Sequence, residues 1–189
     1  GAARLAASVS HKPVLNGGDG SNQHPSQTLL DLYTIMKEKG TLENLHIAFT
    51  GDLKYGRTVH SLAKALKHFH PVIYFVSNLA MPQYLLDDLD DAGVTYYIEE
   101  NFTGCLDKLD VFYMTRIQRE RFPDPEEYEK VKGIYIINRG NIEGKCKDDM
   151  IILHPLPRVN EIDVDLDTTK YARYFEQARN GIPIRQAMM

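Results

Sequence analysis

Four short stretches hold the residues whose types and spacing suit chemistry. In Gln23-His24-Pro25-Ser26-Gln27, His24 stands just before a proline that can open a helix. Backbone N–H groups are unsatisfied at such a start and the helix dipole is positive there. The place suits a phosphate or a polarised carbonyl oxygen. Its structural reading is a histidine capping a helix beside a proline turn. The second stretch, Gly51-Asp52-Leu53-Lys54-Tyr55-Gly56-Arg57-Thr58-Val59-His60, lies between a strand candidate and a helix candidate. It lacks the Gly-Lys-Ser/Thr of a phosphate loop and the Gly-x-Gly-x-x-Gly of a dinucleotide site. Arg57, at the head of the helix, is a planar and permanently charged fork that fits a carboxylate. The alternative is a solvated arginine.

The third stretch is Tyr113-Met114-Thr115-Arg116-Ile117-Gln118-Arg119-Glu120-Arg121. In extended chain Arg116 and Gln118 share a face. Together they fit a carboxylate: the arginine brings charge and two donors, the glutamine amide another donor. Glu120 is placed to hold one of the arginines. Read structurally, the run is a solvent-facing charge cluster. The fourth is Leu153-His154-Pro155-Leu156-Pro157-Arg158. Its two prolines stiffen the backbone and remove two donors, so the carbonyls of Leu156 and Pro157 are presented to whatever lies at the strand end. An X-Pro bond here can be cis. The structural reading is a rigid turn. No Ser-His-Asp order, paired-carboxylate spacing or metal cluster competes with these four. The chemistry they suggest is electrostatic handling of anionic substrates without a covalent nucleophile.

The elements that must position these residues alternate strand and helix. Strands are expected at Leu45–Thr50, Val72–Val76, Thr95–Ile98, Val111–Met114, Ile134–Ile137 and Met150–Leu153. Arg57–Phe69 carries Val59, Leu62, Ala63 and Leu66 at the spacing of one helix face. Pro82 opens a helix with Gly93 after its end, and Phe102–Leu109 reads as a short helix. The alternation predicts an α/β fold, a doubly wound parallel sheet whose strand ends project loops along one ligand-binding edge. Residues 1–40 form a separate unit. Pro13–Asn16 reads as a strand, a glycine-rich loop Gly17–Asn22 follows, and Pro25 starts a helix with Leu29, Leu30, Tyr33 and Met36 on one face, ended by Gly40. That is too little to bury a core alone, and it reads as the remnant of a second α/β domain. Residues 41–167 form the main domain. Residues 168–189 read as two helices broken at Asn180-Gly181 that return toward the first unit.

Composition narrows the class. The net charge is −4 with no basic run, which argues against nucleic acid as a partner. No apolar stretch approaches the ~20 residues a membrane helix needs. The two cysteines, Cys105 and Cys146, make no metal spacing, so the reading is reduced thiols in the cytoplasm. The chain starts at Gly1 and runs into a small-residue helical segment, and its far end also reads as helix, so it is expected to be a fragment.

Four runs, Asp19 to Asp31, Gly51 to Ser61, Tyr113 to Gln118 and His154 to Arg158, resemble transcarbamoylase catalytic chains and occur in that family's order. The aspartate branch is favoured. Ornithine enzymes usually carry His-Cys-Leu-Pro where this chain has His154-Pro155-Leu156-Pro157, and they lack Met-Thr-Arg-x-Gln. The resemblance implies that residues 1–40 come from a carbamoyl-phosphate-binding domain and residues 41–167 form an aspartate-binding domain. It implies that His24 donates to the carbonyl oxygen of carbamoyl phosphate and that Gln27 contacts the carbamoyl amide. Leu156 and Pro157 would accept from that amide. Arg57 would clamp the α-carboxylate of L-aspartate, and Arg116, held by Gln118, the β-carboxylate. The products would be N-carbamoyl-L-aspartate, for pyrimidine synthesis, and phosphate, with no cofactor and no metal. The family's Ser-Thr-Arg-Thr phosphate segment, its loop lysine from a neighbouring subunit and a further arginine preceding Gly1 have no counterpart here. The resemblance therefore implies a fragment inactive alone, from a family of homotrimers that sometimes carry regulatory chains. Two other readings stand beside it: an ornithine-type enzyme, and a non-catalytic aspartate-binding α/β module.

Overall fold

Short, near-continuous apolar runs buried on both faces are what a parallel sheet between two helix layers demands. The structure, a computed structural model, describes residues 1–20 and 22–189, so Ser21 of the glycine-rich loop lies outside the described residues. Five strands, β1 (His46–Thr50), β2 (Val72–Val76), β3 (Thr95–Glu99), β4 (Val111–Met114) and β5 (Ile151–Leu153), pair in the order β3-β2-β1-β4-β5, all parallel. Ile47, Phe49, Ile73, Phe75, Val111, Tyr113, Ile151 and Leu153 face one layer. There they meet Val59, Leu62 and Leu66 of α3 (Arg57–Leu66) and Leu85 and Leu89 of α4 (Gln83–Asp91). Ala48, Tyr74, Val76, Phe112, Met114 and Ile152 face the other layer, with Tyr135, Ile137, Leu166 and Tyr174. The expected doubly wound α/β sheet is what the chain forms.

The order places a topological switch between β1 and β4. The chain winds outward through β2 and β3 on one side and through β5 on the other. Thr50 is level with Met114, and Tyr113 with Leu153, so the loops after β1, β4 and β5 leave one edge together. Open α/β sheets bind ligands in the crevice at such a switch. Gly51 makes the close passage possible. It sits at φ +102, and a Cβ there would lie 2.1 Å from the carbonyl oxygen of Thr115.

The remaining helices are α1 (Ala2–Val9), α2 (Pro25–Lys39), α5 (Pro125–Val131), α6 (Arg139–Ile142) and α7 (Tyr174–Met188). Several expectations are corrected. Pro13–Asn16 forms no strand. Ile134–Ile137 is irregular except for a single bridge from Ile137 to Ile162. Phe102–Leu109 makes two short 3-10 turns, Phe102–Gly104 and Leu106–Lys108, in place of a helix. The C-terminal segment is one continuous helix through Asn180-Gly181. Packing compensates the glycine there: the Asn180 amide donates to Thr34 Oγ1 at 3.0 Å, and Leu30 reaches the space beside Gly181.

The buried face of α2 also differs from expectation. Leu30 is buried, but Leu29, Tyr33 and Met36 are about two-fifths exposed. Ser26, Gln27, Asp31, Thr34 and Ile35 go inside with Leu30. The reason is α7, which packs along α2 through buried hydrogen bonds. Gln177 and Asn180 of α7 meet Asp31 and Thr34 of α2. An apolar-periodicity reading cannot see a seam built from paired polar groups.

Candidate functional site

A cavity of about 120 Å³ opens at the switch point. The loop after β1 gives Gly56, Arg57 and Thr58; the loop after β4 gives Thr115, Arg116, Gln118 and Arg121. The loop after β5 gives Pro155 and Leu156, and the start of α2 gives His24 and Gln27. Six of the seven residues singled out from the sequence thus share one wall. Pro157 is exposed and is not among the lining residues; the bond joining it to Leu156 is the cis one.

The lining carries three arginines and no carboxylate. Such a concentration of positive charge in a partly enclosed space favours a polyanionic ligand. Arg57 Nη1 donates to the carbonyl of Gly20 at 2.5 Å, and a Cβ on Gly18 would stand 3.1 Å from the guanidinium. The glycine-rich loop is therefore a backbone wall against Arg57. Arg116 Nη2 lies 3.7 Å from Glu120 Oε1, and its Nε is buried without a partner. Gln118 lines the same cavity but makes no hydrogen bond to Arg116 among the described residues. The carboxylate of Glu120, four residues on, is what faces Arg116.

Arg121 is the functional candidate that sequence reasoning passed over. The 3-10 turn Arg119–Arg121 folds it back, and its Nη1 donates to the carbonyl of Tyr55 at 2.9 Å. Burial lowers its pKa, opposed by the Asp52 carboxylate. The Asp52 carboxyl is in turn pushed up by burial. The only sequence signal for Arg121 was its place in the same charged run. Thr58 and Thr115 were also missed. Thr115 Oγ1 accepts from Asp52 N at 2.9 Å and donates to the Thr50 carbonyl at 3.1 Å, which ties the β1 and β4 loops together.

His24 is the N-cap residue of α2, as its place before Pro25 requires. Its backbone N–H donates to Ser61 Oγ at 3.3 Å, anchoring it to α3. Burial first, then the charges of Arg57 and Arg185, push its pKa down to about 4. At neutral pH the ring is uncharged. The Ser26 hydroxyl lies 3.5 Å from its Nδ1. A neutral imidazole N–H is a hydrogen-bond donor to an oxyanion that does not give up its proton first.

A larger cavity of about 350 Å³ shares Thr115 and Arg116 but is otherwise lined by Tyr128, Lys132, Tyr135 and the carboxylate of Glu161, among others. It contains neither His24 nor Gln27. No group of His, Cys, Asp and Glu among the described residues is arranged to hold a metal ion. No described helix is long and apolar enough to cross a membrane.

Comparison with known proteins gives the family. Residues 43–189 match the Asp/Orn binding domain of aspartate/ornithine carbamoyltransferases, and residues 1–37 match the carbamoyl-P binding domain of the same family. The aspartate carbamoyltransferase catalytic subunit of Brachyspira hyodysenteriae is 57% identical over 100% of this chain and 53% of its own length. That of Methanocaldococcus jannaschii is 56% identical over 100% of this chain and 62% of its own. Among solved structures, the catalytic subunit of M. jannaschii aspartate transcarbamoylase superposes with a TM-score of 0.90 at 55% identity, over 99% of this chain and 61% of that one. Aspartate transcarbamoylase from Trypanosoma cruzi, in complex with N-(phosphonacetyl)-L-aspartic acid, gives 0.89 at 38% identity, over 97% and 60%. The chain spans between about half and two-thirds of the length of these relatives.

Proposed function

We infer function from kinship: the chain belongs to the aspartate/ornithine carbamoyltransferase family, and we propose that it is part of an aspartate carbamoyltransferase catalytic chain. The reaction joins the carbamoyl group of carbamoyl phosphate to the amine of L-aspartate, giving N-carbamoyl-L-aspartate for pyrimidine synthesis and releasing phosphate. The observation that carries this reading is the single cavity at the switch point. It gathers His24, Gln27, Arg57, Arg116, Gln118 and Leu156 with no lining carboxylate.

Arg57 and Arg116 clamp the α- and β-carboxylates of aspartate, with Gln118 adding a donor. Charge-assisted contacts of this kind contribute about 1.5–3 kcal/mol each. The clamps hold the amine against the carbamoyl carbon, converting an encounter into a near-attack geometry. As the carbon becomes tetrahedral, charge grows on the carbonyl oxygen, and His24 Nε2–H donates to it. The carbamoyl amide is oriented by Gln27 and by the carbonyl of Leu156, Pro157 lying outside the cavity wall. The C–N bond forms, the C–O bond to phosphate breaks, and the amine loses a proton. Arg121, held by Tyr55, adds positive charge to the wall.

The division into a carbamoyl-phosphate-binding remnant at 1–40, an aspartate-binding domain at 41–167 and a returning segment at 168–189 is supported by the packing of α7 on α2. The family resemblance supports a cytoplasmic homotrimer, and light scattering on the full-length protein should give a mass of three chains. An ornithine-type substrate is disfavoured because its cationic side chain would meet Arg116 and Arg121. Arg116→Ala in the full-length chain is expected to raise the KM for aspartate by about a hundredfold, the loss of one bidentate charged contact. An unchanged KM, or carbamoyl transfer to ornithine, would overturn the reading.

A further inference from the structure

Gln27 and Leu156, both on the cavity wall, are joined behind it by an unbroken hydrogen-bond run. Gln27 Nε2 donates to Asp31 Oδ1 at 2.8 Å, and Gln177 Nε2 donates to the same oxygen at 2.6 Å. Tyr113 donates its hydroxyl to Asp31 Oδ2 at 2.8 Å. The other end of the Gln177 amide, Oε1, accepts from the backbone N–H of His154 at 2.7 Å. His154 Nδ1 accepts from the backbone N–H of Leu156 at 2.8 Å. That contact leaves the proton on His154 Nε2, which donates to Glu161 Oε1 at 2.8 Å. Asp31 and Gln177 are both 0% exposed.

Resting on the carbamoyl-transfer reading above, we propose that Asp31 and Gln177 are positioning residues that set the amide of Gln27 and the Leu156 turn as hydrogen-bond acceptors, and so make the site select –NH2 over –CH3 on the acyl phosphate. Burial pushes the Asp31 pKa up to about 7, but its Oδ1 stays an acceptor. The His154 N–H fixes Gln177 with its NH2 end on that oxygen, and Gln27 donates to the same oxygen with its own NH2 end. Its Oε1 is then the end left for the cavity, and no hydrogen bond occupies that oxygen among the described residues. Gln177 does the same one element away: its NH2 end faces Asp31 and its carbonyl holds the His154 backbone. Leu156 is thereby fixed at a positive φ of 52, with its N–H spent on His154. The site presents acceptors to the position where the carbamoyl NH2 lies. An acetyl group, with the same shape and no donor, would leave those acceptors unpaired. Buried polar groups left without a partner are what gives polar sites their strong discrimination. A Gln27 amide free to rotate would present either end, and the discrimination would shrink.

The test compares carbamoyl phosphate with acetyl phosphate, a competitor carrying CH3 in place of NH2, on the full-length chain. Asp31→Leu is expected to raise the KM for carbamoyl phosphate about tenfold while moving the acetyl phosphate inhibition constant less than threefold. The KM for aspartate should stay within about twofold, because Arg57 and Arg116 are untouched. Asp31→Asn should restore the discrimination: its Oδ1 still accepts from both glutamines and its Nδ2 donates to the Tyr113 oxygen. If Asp31→Leu does not fold, Gln177→Leu carries the same expectation. A folded variant of either kind that keeps the wild-type preference overturns the proposal, as does an Asp31→Asn enzyme as unselective as Asp31→Leu. A wild-type chain that transfers no carbamoyl group to aspartate sinks the underlying function instead, so the two failures are distinguishable.

Discussion

His24 shows how far a residue's chemistry departs from its type. An unperturbed histidine takes up its proton near pH 6.5. Here burial and two arginine charges hold it down to about 4. NMR titration of the ring should find His24 neutral throughout the range above pH 5, and a pKa near 6.5 would contradict the burial described. The sign for stability follows. Between pH 6.5 and 4 the unfolded chain binds a proton that the folded chain refuses, so the His24 contribution to stability is lost as pH falls through that window and is unaffected above it. His24→Ala removes the donor to the developing oxyanion and should lower kcat by about 10²–10³ with little change in the KM for aspartate. The residue types at the site were legible from the sequence because arginine, histidine and proline beside strand ends are chemically specific. Arg121 was not, because only a 3-10 turn decides which of three neighbouring charges folds back to the cavity.

At the scale of elements, the short apolar strand runs and the α3 face were legible, since burial on two sides leaves continuous β-branched and aromatic runs and burial on one side leaves a helical stripe. Leu62 is fully buried among both sheet and helix residues, and Leu62→Ala should cost about 2–5 kcal/mol in denaturant unfolding. Gly51 tests the junction of β1 with its loop. Gly51→Ala would put a Cβ into the Thr115 carbonyl and force a strained φ. A loss of more than about 2 kcal/mol is expected, together with reduced aspartate affinity as the β4 loop shifts. A neutral effect on both would mean the two loops are not coupled there. The edge strand β3 was legible at Thr95–Ile98, but the segment around Ile137 was not. β3 is largely exposed yet paired along its length. Ile134–Ile137 reads as strand by composition, yet it leaves Ile134 and Ile136 exposed and pairs only at Ile137.

For the molecule as a whole, the telling contact is between the first helices and the last. α7 returns to pack on α2 through Gln177 with Asp31 and Asn180 with Thr34, each pair 146 residues apart in sequence. Arg173 joins Glu38 at 2.8 Å near the end of α2. Asn180→Leu would remove the donor to Thr34 Oγ1, leaving that hydroxyl only its bond to the Leu30 carbonyl, and would crowd the helix seam. A loss of about 1–3 kcal/mol is expected by thermal unfolding. An unchanged Tm would show that the seam is held by apolar contact alone.

The sequence by itself determined the α/β alternation, the ligand-facing strand ends and the resemblance to a transcarbamoylase chain. These follow from local properties: periodicity, proline and glycine placement, and side-chain chemistry near in sequence. Only the tertiary structure decided that strand order puts β1 beside β4, so that residues from four separate stretches line one cavity. Strand order is a choice among long-range pairings that no local pattern encodes. The polar seam between α2 and α7 belongs to the same class. Nothing local marks Asp31 and Gln177 for burial, and a buried polar group is stable only with the partner that the fold supplies.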